Sequence, residues 1–251
     1  MTTSTLHDRR LIAVTGPDAA HYLQGLVTND IRKATDAPIY AAMLTPQGKY
    51  LADFFILPQP GGYALDVAEH QADALLRRLS MYRLRAAVNL ALTDTPVARG
   101  TGPAPDGAHP DPRHPALGWR AYGMAGDDGS DWDAIRVAHC IPETGIELTP
   151  DSYILEAGFE RLNGVDFRKG CYVGQEVTAR MKHKTQLAKG LLTVDIDGSA
   201  PPGMPITMAD GREAGVIFTQ SGGRGIAHLR FDRIGPGLTA GTAQITAAPP
   251  A

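Results

Sequence analysis

The run VDFRKGCYVGQEVTARM, Val165 to Met181, decides how the rest of the chain is read, because it holds one of only two cysteines among 251 residues. Cys171 stands between Gly170 and Gly174, behind Arg168 and Lys169, and QEVTARM after it has the composition of a helix. Glycine adopts backbone angles denied to other residues and lets chain or ligand come close. A helix starting near Gly174 would put the thiol beside a helix N-terminus, with Arg168, Lys169 and Lys182 nearby, and each of these features favours thiolate. The same spacing fits a small cysteine buried in a gap beneath a tight turn. The two readings stand level on spacing alone. Glu176 is either a pocket carboxylate or a first-turn acid that complements the helix dipole, and spacing favours the dipole.

Working outward to the N-terminal side, RLIAV (10–14) reads as a strand and TGPDAAHYLQGLVTND (15–30) as a helix. Pro17 suits its first position, and Tyr22, Leu23, Leu26 and Val27 make one apolar face. PIYAAMLT (38–45) and KYLADFFIL (49–57) flank Pro46-Gln47-Gly48 and read as a hairpin. YALDV (63–67) is a further strand. Ala68 to Arg83 carries Leu75, Leu76 and Leu79 at helical spacing, and Val88, Leu90 and Leu92 alternate as in a strand. Strands and helices mix without a regular β-α-β repeat, which predicts α+β layers rather than a doubly wound sheet.

The run from Gly100 to Pro115 is rich in Pro, Gly and Asp and reads as a loop or linker. LGWRAYG (117–123) follows as a strand, and Ser130, three residues before Asp133, is the expected cap of the helix SDWDAIRVAHC. LLTVDI (191–196), MPITMADGREAGVIFTQ (204–220) and GIAHLRF (225–231), with Gly and Pro between them, predict a separate small β-barrel or sandwich. The last ten residues are expected to fray.

The formal charge of −3 does not indicate a nucleic-acid binder, which depends on clustered Lys and Arg. No apolar run approaches the roughly 20 residues of a membrane span and no secretory pattern opens the chain, so a cytoplasmic protein without direct membrane contact is expected. Two cysteines without C-x-x-C or H-E-x-x-H spacing argue against a metal held by this chain alone. Neither G-x-G-x-x-G nor a Walker sequence is present. Asp53, Asp66 and Glu156 lie in apolar surroundings, where a carboxylate is costly unless it has a partner or faces water.

KGCYVGQE, Lys169 to Glu176, resembles the signature K-G-C-[Y/F]-x-G-Q-E of the YgfZ family, which is related to the T-protein of the glycine cleavage system, a tetrahydrofolate-dependent aminomethyltransferase. LQGLVTND (23–30) is similar to that family's L-Q-G-x-x-T-N-D, and LTPQGKYLADFFI (44–56) to its P-Q-G-K-x-L-x-D segment. MYRLRAAVNL (81–90) resembles its Y-x-L-R-x-x-V block, and CIPETGIEL (140–148) its G-I-P-E segment, with Cys140 where glycine is usual. GREAGVIFTQSGGRGIAHLR (211–230) is similar to its barrel strands. The matches run in order over nearly the whole chain and leave mainly the Pro-rich loop uncovered.

The resemblance implies an α+β cloverleaf of three small α/β sandwich-like units around a central folate hole, with a C-terminal β-barrel. Its first unit would be discontinuous, 1–45 with 116–186; the second would be 46–115, including the Pro-rich loop 100–115; the barrel would be 187–251. It implies tetrahydrofolate as cofactor, with Glu156 of LEAG at the pterin, and Asp53 as the remaining member of the T-protein's acid pair, whose neighbour here is Ala52. Lys169, Tyr172, Gln175, Glu176 and Arg180 come with the signature or its flank as cofactor-binding residues, and Cys171 as the reactive thiol. The implied function is a folate-binding protein that supports assembly or repair of iron-sulfur clusters in client enzymes, tRNA-modifying ones included, with folate and iron-sulfur client or assembly proteins as partners. The rival is a folate-dependent aminomethyltransferase or other one-carbon transferase using Asp53; turnover is left open.

Overall fold

Turn chemistry and side-chain alternation build the first sheet. In the computed structural model, which describes residues 9–184 and 186–249, strands β1 (Arg9–Thr15), β2 (Ile39–Leu44), β3 (Tyr50–Gln59), β4 (Gly62–Ala68) and β5 (Asn89–Thr93) form an antiparallel sheet in the order β2-β3-β4-β1-β5. Helices α1 (Ala19–Gln24) and α2 (Glu69–Arg83) belong to the same unit. The β2–β3 hairpin turns at Pro46-Gln47-Gly48: Thr45 N–H donates to Lys49 C=O at 2.8 Å, and Gly48 takes φ +75°. Alternate residues of a strand point to opposite faces. One face sends Ile12, Val14, Met43, Phe54, Ile56, Leu65 and Val67 into a core shared with Leu23, Leu26, Leu75 and Leu79. The other carries Tyr40, Asp53, Phe55 and Asp66, in register Tyr40↔Phe55↔Asp66.

Above that second face the chain continues as β6 (Val97–Gly100), β7 (His109–Pro110), β8 (Trp119–Tyr122) and β9 (Gly126–Asp127), a small sheet ordered β7-β8-β6-β9. The Pro-rich run is therefore no linker: β7 pairs with β8, and Asp111 and Arg113 are buried. Val97 packs with Leu11 and Ala64 of the first sheet. Around them lies a buried ion cluster. Arg9 and Arg120 converge on Asp66 at 2.6 and 2.7 Å, Arg113 pairs with Asp111 at 2.8 Å, and the Arg120 guanidinium stands 4.0 Å from the centre of the Phe55 ring. Burial by itself would raise the Asp66 carboxyl, but Arg120 and Arg9 outweigh it and hold the group below the usual carboxylate range.

The chain folds as two units, Met1–Ser130 with Glu160–Gln175, and Asp131–Phe159 with Glu176–Ala251. The expected boundary between 45 and 46 falls inside the β2–β3 hairpin, whose ladder hydrogen bonds join both sides in one sheet. In the second unit, helix α3 (Trp132–His139) is capped by Asp131, which accepts from Ala134 N–H at 2.9 Å. Ser130, the expected cap, instead donates to Asp128 at 2.6 Å. Arg136 of α3 pairs with buried Glu147, which also accepts from Thr219 at 2.6 Å. Helix α4 spans Gln175–Lys184.

Strands β10 (Lys189–Asp197), β11 (Pro205–Thr207), β12 (Glu213–Ser221), β13 (Arg224–Arg230), β14 (Leu238–Ala240) and β15 (Ala243–Thr246) close a barrel in the order β10-β13-β12-β11-β14-β15. Closure removes free sheet edges. Val194, Ile196, Ile206, Ile217, Leu229 and Ile245 fill its interior. The last strand corrects the expectation of a frayed end: β15 pairs with β10 and β14 and shuts the ring, while residues 250–251 lie outside the described ones. No helix among the described residues is long and apolar enough to cross a membrane.

Candidate functional site

The signature run is fastened to the first unit by polar groups of the Thr28-Asn29-Asp30 turn. Thr28 Oγ1 donates to Gly164 C=O at 2.6 Å, and Asn29 Nδ2 donates to Tyr40 C=O at 2.8 Å and to Asn163 C=O at 2.7 Å. Asp166 pairs with Lys33 at 2.7 Å. Lys169 is buried, and its ammonium donates to the carbonyls of Gln24, at 2.8 Å, and Val27. It also lies 4.9 Å from the centre of the Tyr172 ring. Lys169 is thus a clamp on the end of α1, where the resemblance implied a cofactor-binding residue.

The other end of the loop is held as closely. Val173 N–H donates to Gly25 C=O at 3.2 Å, and Tyr172 is buried. Gly174 has φ +84°, and a Cβ there would stand 2.6 Å from the Thr45 carbonyl oxygen, so only glycine fits. Gly170 has open space around its missing Cβ and an ordinary φ, so the freedom expected of it is not used. Between buried Lys169 and buried Tyr172 the thiol of Cys171 is exposed and free. A cysteine that merely filled a gap would be buried. Gln175 opens α4 with its N–H donating to Tyr172 C=O at 3.2 Å.

Burial takes the Lys169 ammonium down to about 8, against the pull of Asp30 and Asp166. Between that value and the ordinary 10.5 the unfolded chain holds a proton that the folded chain has released, so stability rises with pH across the window and falls back as pH drops through 8. Urea unfolding of wild type and Lys169→Met, compared from about pH 7 to about pH 10, should show the wild type gaining on the variant. Parallel profiles would refute this.

Asp53 is buried, and its two carboxylate oxygens accept from tyrosine hydroxyls, Tyr50 at 2.6 Å on Oδ1 and Tyr40 at 2.9 Å on Oδ2. That answers the cost of an acid in an apolar strand: it does not face water, it is partnered.

Glu156 lies in the second unit, in a turn laid on β10. Leu191 N–H donates to Glu156 C=O at 2.8 Å, and a Cβ on Gly190 would come within 2.9 Å of that oxygen. The side chain is 11% exposed, with His228 Nε2 at 3.3 Å and Lys189 Nζ at 3.6 Å, both on Oε2. Among the described residues no donor is bonded to Oε1, so one carboxylate oxygen stays available to an incoming N–H. Sequence reasoning missed Lys189 and His228, on the paired strands β10 and β13, whose only signal was a charged or titratable group on a barrel strand. Glu176 and Arg180 form an i,i+4 pair at 3.0 Å on α4 with both side chains mostly in water. Such a pair stabilises a helix by about 0.3–0.5 kcal/mol, which fits the first-turn reading of Glu176. No three His, Cys, Asp or Glu among the described residues gather as a metal ion would need.

Residues 189–251 match the family described as CAF17, C-terminal beta-barrel domain. The chain is 31% identical to the iron-sulfur cluster assembly factor IBA57, mitochondrial, of Mus musculus, over 91% of this chain and 77% of that one. It is 35% identical to the IBA57 homolog, mitochondrial, of Pyricularia oryzae, over 75% of this chain but only 56% of the relative's length. Among solved structures, the glycine cleavage system aminomethyltransferase T from Bartonella henselae superposes with a TM-score of 0.76, covering 96% of this chain and 83% of that one. At 13% identity that likeness establishes the mixed α/β fold and nothing more. Both relatives are named as mitochondrial, which overturns the expectation of a cytoplasmic protein. That expectation rested on absences, and an absence assigns no compartment.

Proposed function

The chain belongs to the family of the iron-sulfur cluster assembly factor IBA57, and from that membership we propose that it binds tetrahydrofolate and supports assembly or repair of clusters in client enzymes, tRNA-modifying ones included, in the manner of the YgfZ branch. The observation that carries the reading is the loop 169–174, pinned at both ends with the Cys171 thiol exposed between two buried side chains. A thiolate is the form that ligates iron or attacks a sulfur. One thiol does not fill the coordination of a cluster, so in this reading the cluster is a substrate whose other ligands come from a partner.

Glu156 would hold the pterin, its open Oε1 accepting an N–H of the ring or its amino group while His228 and Lys189 steady Oε2. When bound, tetrahydrofolate supplies a pair of nitrogens able to carry a one-carbon unit. The rival transferase reading asks Asp53 to steady a substrate amine. Tyr40 and Tyr50 already engage both of its oxygens, which supports a structural Asp53 and the assembly role over transfer.

Calorimetric titration with tetrahydrofolate tests the cofactor. Wild type should bind, and Glu156→Gln should weaken binding by about 10- to 100-fold, the worth of a hydrogen bond to a charged acceptor. No heat at millimolar ligand would remove folate from the proposal.

A further inference from the structure

We propose that the C-terminal end of α2 docks an acidic protein partner, which takes Leu84 and Met81 into an apolar pocket rimmed by carboxylates. Ala72, Leu75 and Leu79 are the buried face of α2. Arg77 and Met81 lie four residues apart on the opposite face, and Leu84, just past the helix, continues that line at i+7. Leu84 is 88% exposed and Met81 68%. A leucine and a methionine left this far in water add little to this fold.

The backbone makes the same point independently. Ala86 N–H donates to Arg83 C=O at 2.8 Å, closing a turn in which Leu84 sits at φ 44°, ψ −108°. That is the first central position of a type II′ turn, which belongs to glycine. A leucine there is strained, and the strain presents its side chain to solvent. Strain of this kind persists where the surrounding structure fixes the backbone, here with Ala87 N–H donating to Asp18 at 2.7 Å, and it gathers at functional surfaces.

Charge defines the partner. Arg77, Arg78, Arg83 and Arg85 are all exposed, and among the described residues none of these side chains donates a hydrogen bond or forms an ion pair. Arg83 in the last turn also complements the helix dipole, but Arg77, Arg78 and Arg85 have no such duty. In a chain of net charge −3, Arg77, Arg78 and Arg85, with Arg83 beside them, put guanidiniums near an apolar pair and match a carboxylate-rimmed pocket. A phosphate backbone would use the arginines and leave Leu84 and Met81 in water. A bilayer would need a broad apolar face, and the apolar face of α2 is in the core. That the partner carries or receives clusters rests on the proposed assembly role; that it is acidic does not.

The test uses the full chain in cells lacking their own copy, with Met81→p-benzoylphenylalanine as photocrosslinker and the adduct identified by mass spectrometry. The purified adduct partner is then titrated with wild type, with Leu84→Gly, and with Arg77→Glu/Arg78→Glu. Glycine suits the turn, so Leu84→Gly should melt no lower than wild type while losing the knob. We expect an acidic protein as adduct, binding weakened about tenfold or more by each variant, and a charge-reversal effect that shrinks with added salt. A lipid, nucleic-acid or self adduct, no adduct, or variants that bind within about twofold of wild type would overturn the docking surface. Enzyme recovery is scored separately: a wild-type chain that binds the partner yet restores no cluster enzyme overturns the assembly role and leaves the surface standing.

Discussion

Cells that lack their own copy and carry Cys171→Ser should show no more iron-sulfur enzyme activity than cells with an empty vector, whereas the wild-type chain restores it. Serine keeps the size and exposure of the side chain but does not ionise at working pH, so it tests thiolate chemistry and little else. The thiol is free, and the loop is held by Lys169, Tyr172, Val173 and Gly174 rather than by Cys171. A surface exchange of this kind changes stability by no more than about 0.5 kcal/mol, or a shift of about 1–2 °C in melting temperature. Wild-type complementation by the serine variant would remove the thiol from the mechanism. If the variant fails only because it melts much lower, the loop description is wrong instead.

The largest effect on stability is expected at Arg120. Its side chain is 1% exposed and donates to Asp66 from Nε at 3.1 Å and Nη2 at 2.7 Å, with Asp111 3.6 Å from Nη1. Removing one partner from a buried pair leaves an uncompensated charge and costs about 3–5 kcal/mol, far more than the pair itself adds over an apolar core. Arg120→Met should lose that amount in urea unfolding; a loss under about 1 kcal/mol would show that Arg9 alone satisfies Asp66. Trp119, next to Arg120, reports on the first unit and Trp132 on the second, which matters because two units need not unfold in one step. The carboxyl of Asp66 is held below its unfolded value, so its contribution is present above about pH 4 and is lost as pH falls through the folded value. Asp66→Asn should flatten that acid limb.

What the sequence disclosed follows from how local each signal is. The hairpin at Pro46-Gln47-Gly48 and the helix with Leu75 and Leu79 rest on turn chemistry and periodicity within a dozen residues, and both form as expected. Strands LTA (238–240) and AQIT (243–246) are only three and four residues long, too short for a clear alternation, so nothing in them announces that they close a barrel. An acid in an apolar strand was visible at Asp53 and Asp66, but the partner of Asp66 is Arg120, 54 positions away in a run whose neighbours look like linker. Gly170 and Gly174 are alike in sequence, but only the second takes a positive φ and has the Thr45 carbonyl packed against it. The resemblance to the YgfZ family brought Glu156 and Cys171 forward, yet the clamp that exposes Cys171 reaches from Lys169 back to Gln24 and Val27, beyond any local pattern.

That clamp also sets an order of events during folding. The chain leaves the first unit at Ser130 and returns at Glu160, so the loop bearing the thiol meets its sheet only after residues 131–159 have been made. The polar contacts that seat it close separations of 133 to 148 residues, from Lys33–Asp166 to Gly25–Val173. Closure over such distances is entropically costly and comes late, after local hairpins and helices have formed. Cys171 is therefore among the last residues to take its place, and a nascent or half-folded chain does not yet present its thiol as the folded loop does.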